Sequence, residues 1–199
     1  MTVDESVIRA VAKWPNVPAV YGWLSLDRRG QWLIKGDRIS NPLVTAFIGR
    51  NYASDLDGRW FFQNGPQRVY VRLDYTPFVY FVQRTDSDPA IVTHTGSVAT
   101  QVREAMVDET GALVLRTDVG VGVVCDRDLP AAAEMLRTDT GHAVDEDLLA
   151  GLLAGRSEVR LHLLFGARRV PVSAVGSGEL ARRFAFDPDP RPMPGEPDC

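Results

Sequence analysis

The side chains in this sequence that could carry chemistry are three histidines, two cysteines and a scatter of paired acids. His94, in T-H-T-G, lies among small polar residues, the setting of a general acid or base held in a loop. His142 falls in a loop of its own and His162 at an outward position of a strand, and none of the three has a second ligand at metal spacing. Cys125 stands between V-G-V-V and D-R-D, where acidic neighbours raise a thiol's pKa, so it reads as structural; Cys199 ends the chain. There is no G-x-S-x-G and no P-loop, and G-V-G-V-V lacks the third glycine of a dinucleotide turn. Asp55/Asp57 and Asp145/Glu146/Asp147 fit loop solvation and a helix N-terminus. No catalytic residue, metal or cofactor is assigned. An alternative keeps His94 as the acid/base of a small enzyme, acting with an arginine such as Arg68 on an anionic substrate between two repeats.

A binding surface has more behind it. Between Val20 and Arg84 there are 9 basic and 5 acidic residues, interleaved with Tyr21, Trp23, Trp32, Trp60, Phe61, Tyr70 and Tyr75. The densest stretch, W-F-F-Q-N-G-P-Q-R-V-Y-V-R-L at 60–73, is a hairpin signal: two β-forming runs flank a knot of turn formers. Pro66 argues against an Asn64-Gly65 two-residue turn because it lacks the closing donor, which favours a loop from Asn64 to Gln67. That loop sets Phe61 opposite Tyr70, Phe62 opposite Val69 and Gln63 opposite Arg68. Trp60, Phe62, Val69, Val71 and Leu73 then form the core face, and Phe61, Gln63, Arg68 and Tyr70 an outer face suited to a ligand or partner.

The elements that position these residues follow from periodicity. Residues 4–13 suit a short amphipathic helix, ended by Trp14-Pro15. Residues 21–26 and 31–35 read as a hairpin around D-R-R-G. Asn41-Pro42 opens a helix with the stripe Leu43, Val44, Phe47, Ile48 and Tyr52; residues 75–83 add a strand after the central hairpin.

The second half repeats the first. Residues 106–115 follow the pattern of 25–34, with Gly30 and Gly111 separated by 81 positions, and farther on an offset of 101 relates Arg59 to Arg160, Gly65 to Gly166 and Arg68-Val69 to Arg169-Val170. The fold expected is α+β: two related β-rich units of hairpin, helix and hairpin, from a tandem duplication with pseudo-twofold symmetry. The boundaries are 1–84 for the first repeat with its N-terminal helix, 85–104 for a connection, 105–186 for the second repeat and 187–199 for a loose proline-rich tail. An extra helix from Asp128 to about Arg137 accounts for the change of offset, and Pro171 suggests an edge strand.

The net charge is −4, split as +2 over residues 1–100 (11 basic, 9 acidic) and −6 over 101–199 (11 basic, 17 acidic). Acidity disfavours extended nucleic acid, and the lack of a signal-like start or a ~20-residue apolar run points to a cytoplasmic protein without membrane contact. The expected function is non-enzymatic binding or regulation, with a protein or small-molecule partner and a possible homodimer. A self-associating structural subunit is a further alternative.

Y-G-W-L-S-L-D-R-R-G-Q-W at 21–32, F-I-G-R-N-Y-A at 47–53 and W-F-F-Q-N-G-P-Q-R-V-Y-V at 60–71 carry a resemblance. With H-T-G at 94–96 and D-R-D-L at 126–129, the chain resembles a family of uncharacterised bacterial proteins of about this length, catalogued as a domain of unknown function. The resemblance implies bacterial origin and a shared fold, and brings no activity.

Overall fold

A computed structural model describes residues 5–14, 17–85, 89–156 and 159–194. The chain is a mixed α+β protein, mostly sheet, in two compact units: residues 1–77 with 184–199, and residues 78–183.

In the first unit, α1 (Glu5–Lys13) precedes β1 (Val20–Leu26), β2 (Trp32–Ile34), β3 (Asp37–Arg38), α2 (Pro42–Arg50), β4 (Tyr52–Ser54), β5 (Trp60–Asn64) and β6 (Gln67–Leu73). The sheet order is β3-β2-β1-β6-β5-β4, with β1 and β6 parallel at its centre. α2 starts as its sequence requires: Asn41 Oδ1 accepts from the backbone N–H of Leu43 and Val44, and Pro42 occupies the first turn. It covers one sheet face, with the Phe47 ring edge-on to Phe62 at 5.5 Å. The expected 60–73 pairing is present, and continues one step farther to Asn64 and Gln67. Pro66 therefore sits inside the turn, where no ladder donor is required.

The second unit holds β7 (Phe78–Gln83), β8 (Ala90–Thr93), β9 (Val102–Asp108), β10 (Leu113–Thr117), β11 (Val121–Val124), α3 (Leu129–Ala133), β12 (Leu136–Thr138), α4 (Glu146–Leu153), β13 (Leu161–Phe165), β14 (Arg168–Val175) and α5 (Leu180–Arg183). Its sheet order is β12-β13-β14-β9-β10-β11-β7-β8, with β14 and β9 parallel. β7, expected as a late strand of the first unit, pairs instead with β11 and β8. The G-V-G of 120–122 explains its place: a Cβ at Gly120 would lie 2.6 Å from the Phe78 ring and one at Gly122 2.5 Å from the Tyr80 ring.

Six strands of each unit follow one plan. Reversed, the first order is β4-β5-β6-β1-β2-β3, beside β12-β13-β14-β9-β10-β11. Leu24 faces Val71 and Ile34 as Ala105 faces Val172 and Leu115, and Phe61 faces Tyr70 as His162 faces Pro171. In the turns, Gly30 N–H donates to the Asp27 carbonyl and Gly111 N–H to that of Asp108, each glycine having a positive φ. Two expectations change. Leu136–Thr138 is a strand and not the end of a helix, so α3 before β12 takes the place of α2 before β4, and the added helix is α4. β14 is not an edge strand, because it lies between β13 and β9; its register with β9 begins at Val172, just past Pro171.

Candidate functional site

Both faces of the β5–β6 hairpin are covered, so the outer face proposed from sequence is not an open surface. Phe61, Gln63 and Tyr70 are 6%, 6% and 3% exposed. The Tyr21 ring stacks on Tyr70 at 4.5 Å and 9°, Phe61 meets Tyr70 edge-on, and Ala19 and Ala53 fill beside them. Gln63 Nε2 donates to the Gly65 carbonyl, so its amide supports its own turn. Arg68 alone of the four is exposed, with its guanidinium 4.5 Å over the Phe61 ring. Strand alternation separates the two faces without revealing what covers either.

A buried polar group adjoins this cluster. The Tyr70 hydroxyl donates to Asp55 Oδ2 at 3.1 Å, and Arg59 Nε donates to the same oxygen at 2.8 Å with its guanidinium 4.7 Å from the Tyr70 ring. Burial pushes the Asp55 carboxyl upward, but the hydrogen bonds from Arg59 and Tyr70 outweigh it and leave the pKa below the ordinary value.

The chain beyond Phe186, expected as a loose tail, is tied to this unit over its described part. Asp187 bridges Arg59 in parallel and donates its N–H to the Gly58 carbonyl, and Leu73 N–H donates to the Pro188 carbonyl. Pro190 is buried. Main-chain bonding and the rigidity of proline hold a segment whose composition reads as disordered. Cys199 lies outside the described residues.

This segment and β1 wall an open cleft of about 590 Å³, lined by Tyr21, Trp23, Ser25, Lys35, Arg72 and Arg191 among others. Gly22, at φ +70, makes a bulge where the β1–β6 register slips between Val20 and Leu24. Trp23 is left 48% exposed. Lys35 and Gly36 both have positive φ between the paired Ile34 and Asp37, a two-residue turn of the I′ kind. That turn sets Lys35 Nζ 3.7 Å over the Trp23 ring. Arg191 pairs with Asp189 at 2.6 Å and Arg72 reaches Asp74 at 3.7 Å. Three cations thus line the cleft against the one carboxylate of Asp189. Sequence inspection passed over Lys35 and Arg191; the available signals were Gly22 inside a strand run and K-G between two short strands.

The histidines make no comparable site. His94 is half-buried with its Nε2 shielded from solvent, its Nδ1 accepts from the Val79 N–H at 3.3 Å, and desolvation of the ring lowers its pKa to about 3. The neutral ring is the form favoured near pH 7. His162 Nδ1 lies 3.2 Å from Asp139, and His142 Nδ1 meets the Thr140 hydroxyl. Burial, more than Asp126, pushes the Cys125 thiol up. Among the described residues no group of three acidic, histidine or cysteine side chains could hold a metal, and no helix is long and apolar enough to cross a membrane.

A two-unit α+β protein built on open mixed sheets is the class defined by this fold. The DUF2944 family, described as "Protein of unknown function (DUF2946)", matches residues 3–191, and the chain belongs to it. Among solved structures, a DUF1285 family protein from Silicibacter pomeroyi DSS-3 aligns with a TM-score of 0.51 at 18% identity, covering 83% of this chain and 87% of that one, a likeness of fold. A DUF1285 family protein from Shewanella baltica OS155 aligns over 58% of this chain and 93% of its own, with a TM-score of 0.41 and 15% identity. No curated protein matches.

Proposed function

We propose that the protein is a cytoplasmic, non-enzymatic binding or regulatory protein whose first unit holds a small anionic ligand in the cleft of Trp23, Lys35, Arg72 and Arg191. One observation carries this. At the positions 81 residues on from Trp23 and Lys35, the second unit has Glu104 and Arg116, joined at 2.7 Å, and Arg183 closes the other carboxylate oxygen at 2.7 Å. The second unit neutralises its cation at this place; the first rests its lysine on an indole, which leaves the positive charge available to an incoming anion. Phe61, Gln63, Arg68 and Tyr70 then act behind the site, because Tyr70 stacks on Tyr21, a wall of the cleft.

A thermal-shift screen against phosphate, carboxylate and nucleotide anions tests the assignment, since a ligand selective for the folded state raises stability. An anion that raises the melting temperature of the wild type and not of Lys35→Gln/Arg72→Gln supports the cleft. An equal shift in both places the ligand elsewhere.

We also infer that the units arose by tandem duplication. The support is the shared strand order and the residue-for-residue register at offsets of 81 and 101. Grafting V-D-E-T-G-A of 107–112 in place of L-D-R-R-G-Q at 26–31 is expected to change stability by no more than about 1 kcal/mol, as interchangeable turns do. Loss of cooperative unfolding in the graft contradicts the equivalence.

A further inference from the structure

The cleft has an apolar neighbour. A second hollow of about 430 Å³ lies between α2 and the sheet, lined by Trp23, Leu24, Ile34, Val44, Ile48 and Phe62 among others. Trp23 and Leu24 line both hollows, and Ile34 of the apolar one is followed directly by Lys35 and Gly36 of the charged one. The rim between them is therefore the Trp23 side chain with the Ile34–Gly36 turn. Each hollow lies within the range of ~300–1,000 Å³ typical of small-molecule sites. Trp23, Ile34 and Val44 remain 48%, 46% and 41% exposed beside the apolar hollow, an apolar exposure set against an excess of cations.

We infer, resting on the cleft assigned above, that the ligand is an anionic amphiphile: its acid group meets Lys35 and Arg72, and its hydrocarbon chain crosses the Trp23 rim into the hollow under α2. A purely polar anion uses only half of what is built here, and a purely apolar ligand leaves the cationic side of the rim unused. An acyl carboxylate and an acyl phosphate share this chemistry. Charge complementarity on one side of the rim and the apolar lining on the other select them over a polar metabolite.

The test is calorimetric titration with linear alkyl carboxylates of four, eight and twelve carbons, and with the matching alkyl phosphates, each below its micellar concentration. Affinity is expected to rise with chain length by up to about fourfold per methylene, the equivalent of ~0.8 kcal/mol per buried CH₂. Val44→Glu, at an exposed helix position, should abolish that dependence and keep binding of the four-carbon acid. Lys35→Gln/Arg72→Gln should weaken every length by a similar factor. The stronger of the two series identifies the head group. If short and long anions bind alike, the cleft stands and the amphiphile does not. If neither binds, both fail. A dimer that dissociates in Val44→Glu without any chain-length effect gives the hollow to a second copy and overturns the proposal.

Discussion

Two strands at equivalent places of the shared strand order show how the units differ. Within β1 the first unit carries Trp23 under Lys35; 81 residues on, within β9, the second carries Glu104 between Arg116 and Arg183. Lys35 donates its N–H to the Trp23 carbonyl from a turn, whereas Arg116 pairs with Glu104 inside the β9–β10 ladder; one place holds an indole and a lysine beside a cleft, the other an ion network. A second contrast accompanies it. The turns Asp55–Arg59 and Thr138–His142 make the same backbone bonds, from Gly58 N–H to the Asp55 carbonyl and from Gly141 N–H to the Thr138 carbonyl. Only the first is covered, by residues 185–187. Local geometry follows the shared strand plan, whereas the surroundings differ between the two units.

The strongest way to break this comparison is at those two glycines. Both have positive φ, near +77° and +87°, but a Cβ at Gly58 would lie 2.2 Å from the Ala185 carbonyl oxygen, and one at Gly141 meets nothing within 4 Å. Gly58→Ala should cost about 4 kcal/mol, left-handed strain plus overpacking, and should release the C-terminal segment to proteolysis. Gly141→Ala should cost about 1 kcal/mol from strain alone. Urea denaturation of the two variants measures the difference; equal costs remove the contrast.

Acid provides the next separation, because all three histidines lie in the second unit and the Asp55 network lies in the first. His94 is depressed to about 3 by burial, against an unfolded value near 6.5. Between these values the unfolded chain binds the extra proton, so stability falls as pH drops, by about 1.4 kcal/mol per unit and about 3 kcal/mol at pH 4. Asp55 acts lower. Its folded pKa is depressed, so its contribution is present above the unfolded carboxylate value of about 3.9 and is lost as pH falls through the folded value. Urea midpoints between pH 7 and 4, with histidine NMR, check the first: the His94 ring should remain neutral at pH 4 while stability drops. Protonation of His94 above pH 5 contradicts it.

A smaller loss is expected at Asp55 itself. Asp55→Asn takes from buried Arg59 the carboxylate that its Nε holds at 2.8 Å and should cost about 2 kcal/mol at pH 7, compared with about 1 kcal/mol for Thr138→Ala, which removes a methyl group and the hydroxyl that accepts from His142 N–H and pairs with Thr140. The smallest effect on stability belongs to Lys35→Gln and Arg72→Gln, within about 0.5 kcal/mol because both side chains are exposed. Their effect is expected on binding alone.

Much of the strand framework was legible because it depends on period-two patterning and turn residues. The Phe61–Tyr70 and Phe62–Val69 pairs, the D-x-x-G turns and the Asn41-Pro42 helix start follow from local chemistry. What could not be read was which surface each face would meet. Phe61 and Tyr70 read as an outer face because nothing local says that Tyr21, Ala19 and Ala53 pack over them, or that a proline-rich segment forms backbone bonds at Gly58 and Leu73. The same holds for β7, whose partner β11 is set by glycines some 40 residues downstream. The cleft was not legible either, since Trp23 meets Lys35 only through the bulge at Gly22 and the turn at Lys35-Gly36.

The cleft assignment is tested most directly by amide and indole chemical-shift mapping during titration with decanoate and, separately, inorganic phosphate. Decanoate is expected to move the Trp23 indole together with the Lys35, Gly36, Arg72 and Arg191 signals, and to leave the Glu104–Arg116 region of the second unit unchanged. Perturbations centred on residues 78–183, or an unmoved Trp23 indole under saturating binding, contradict it.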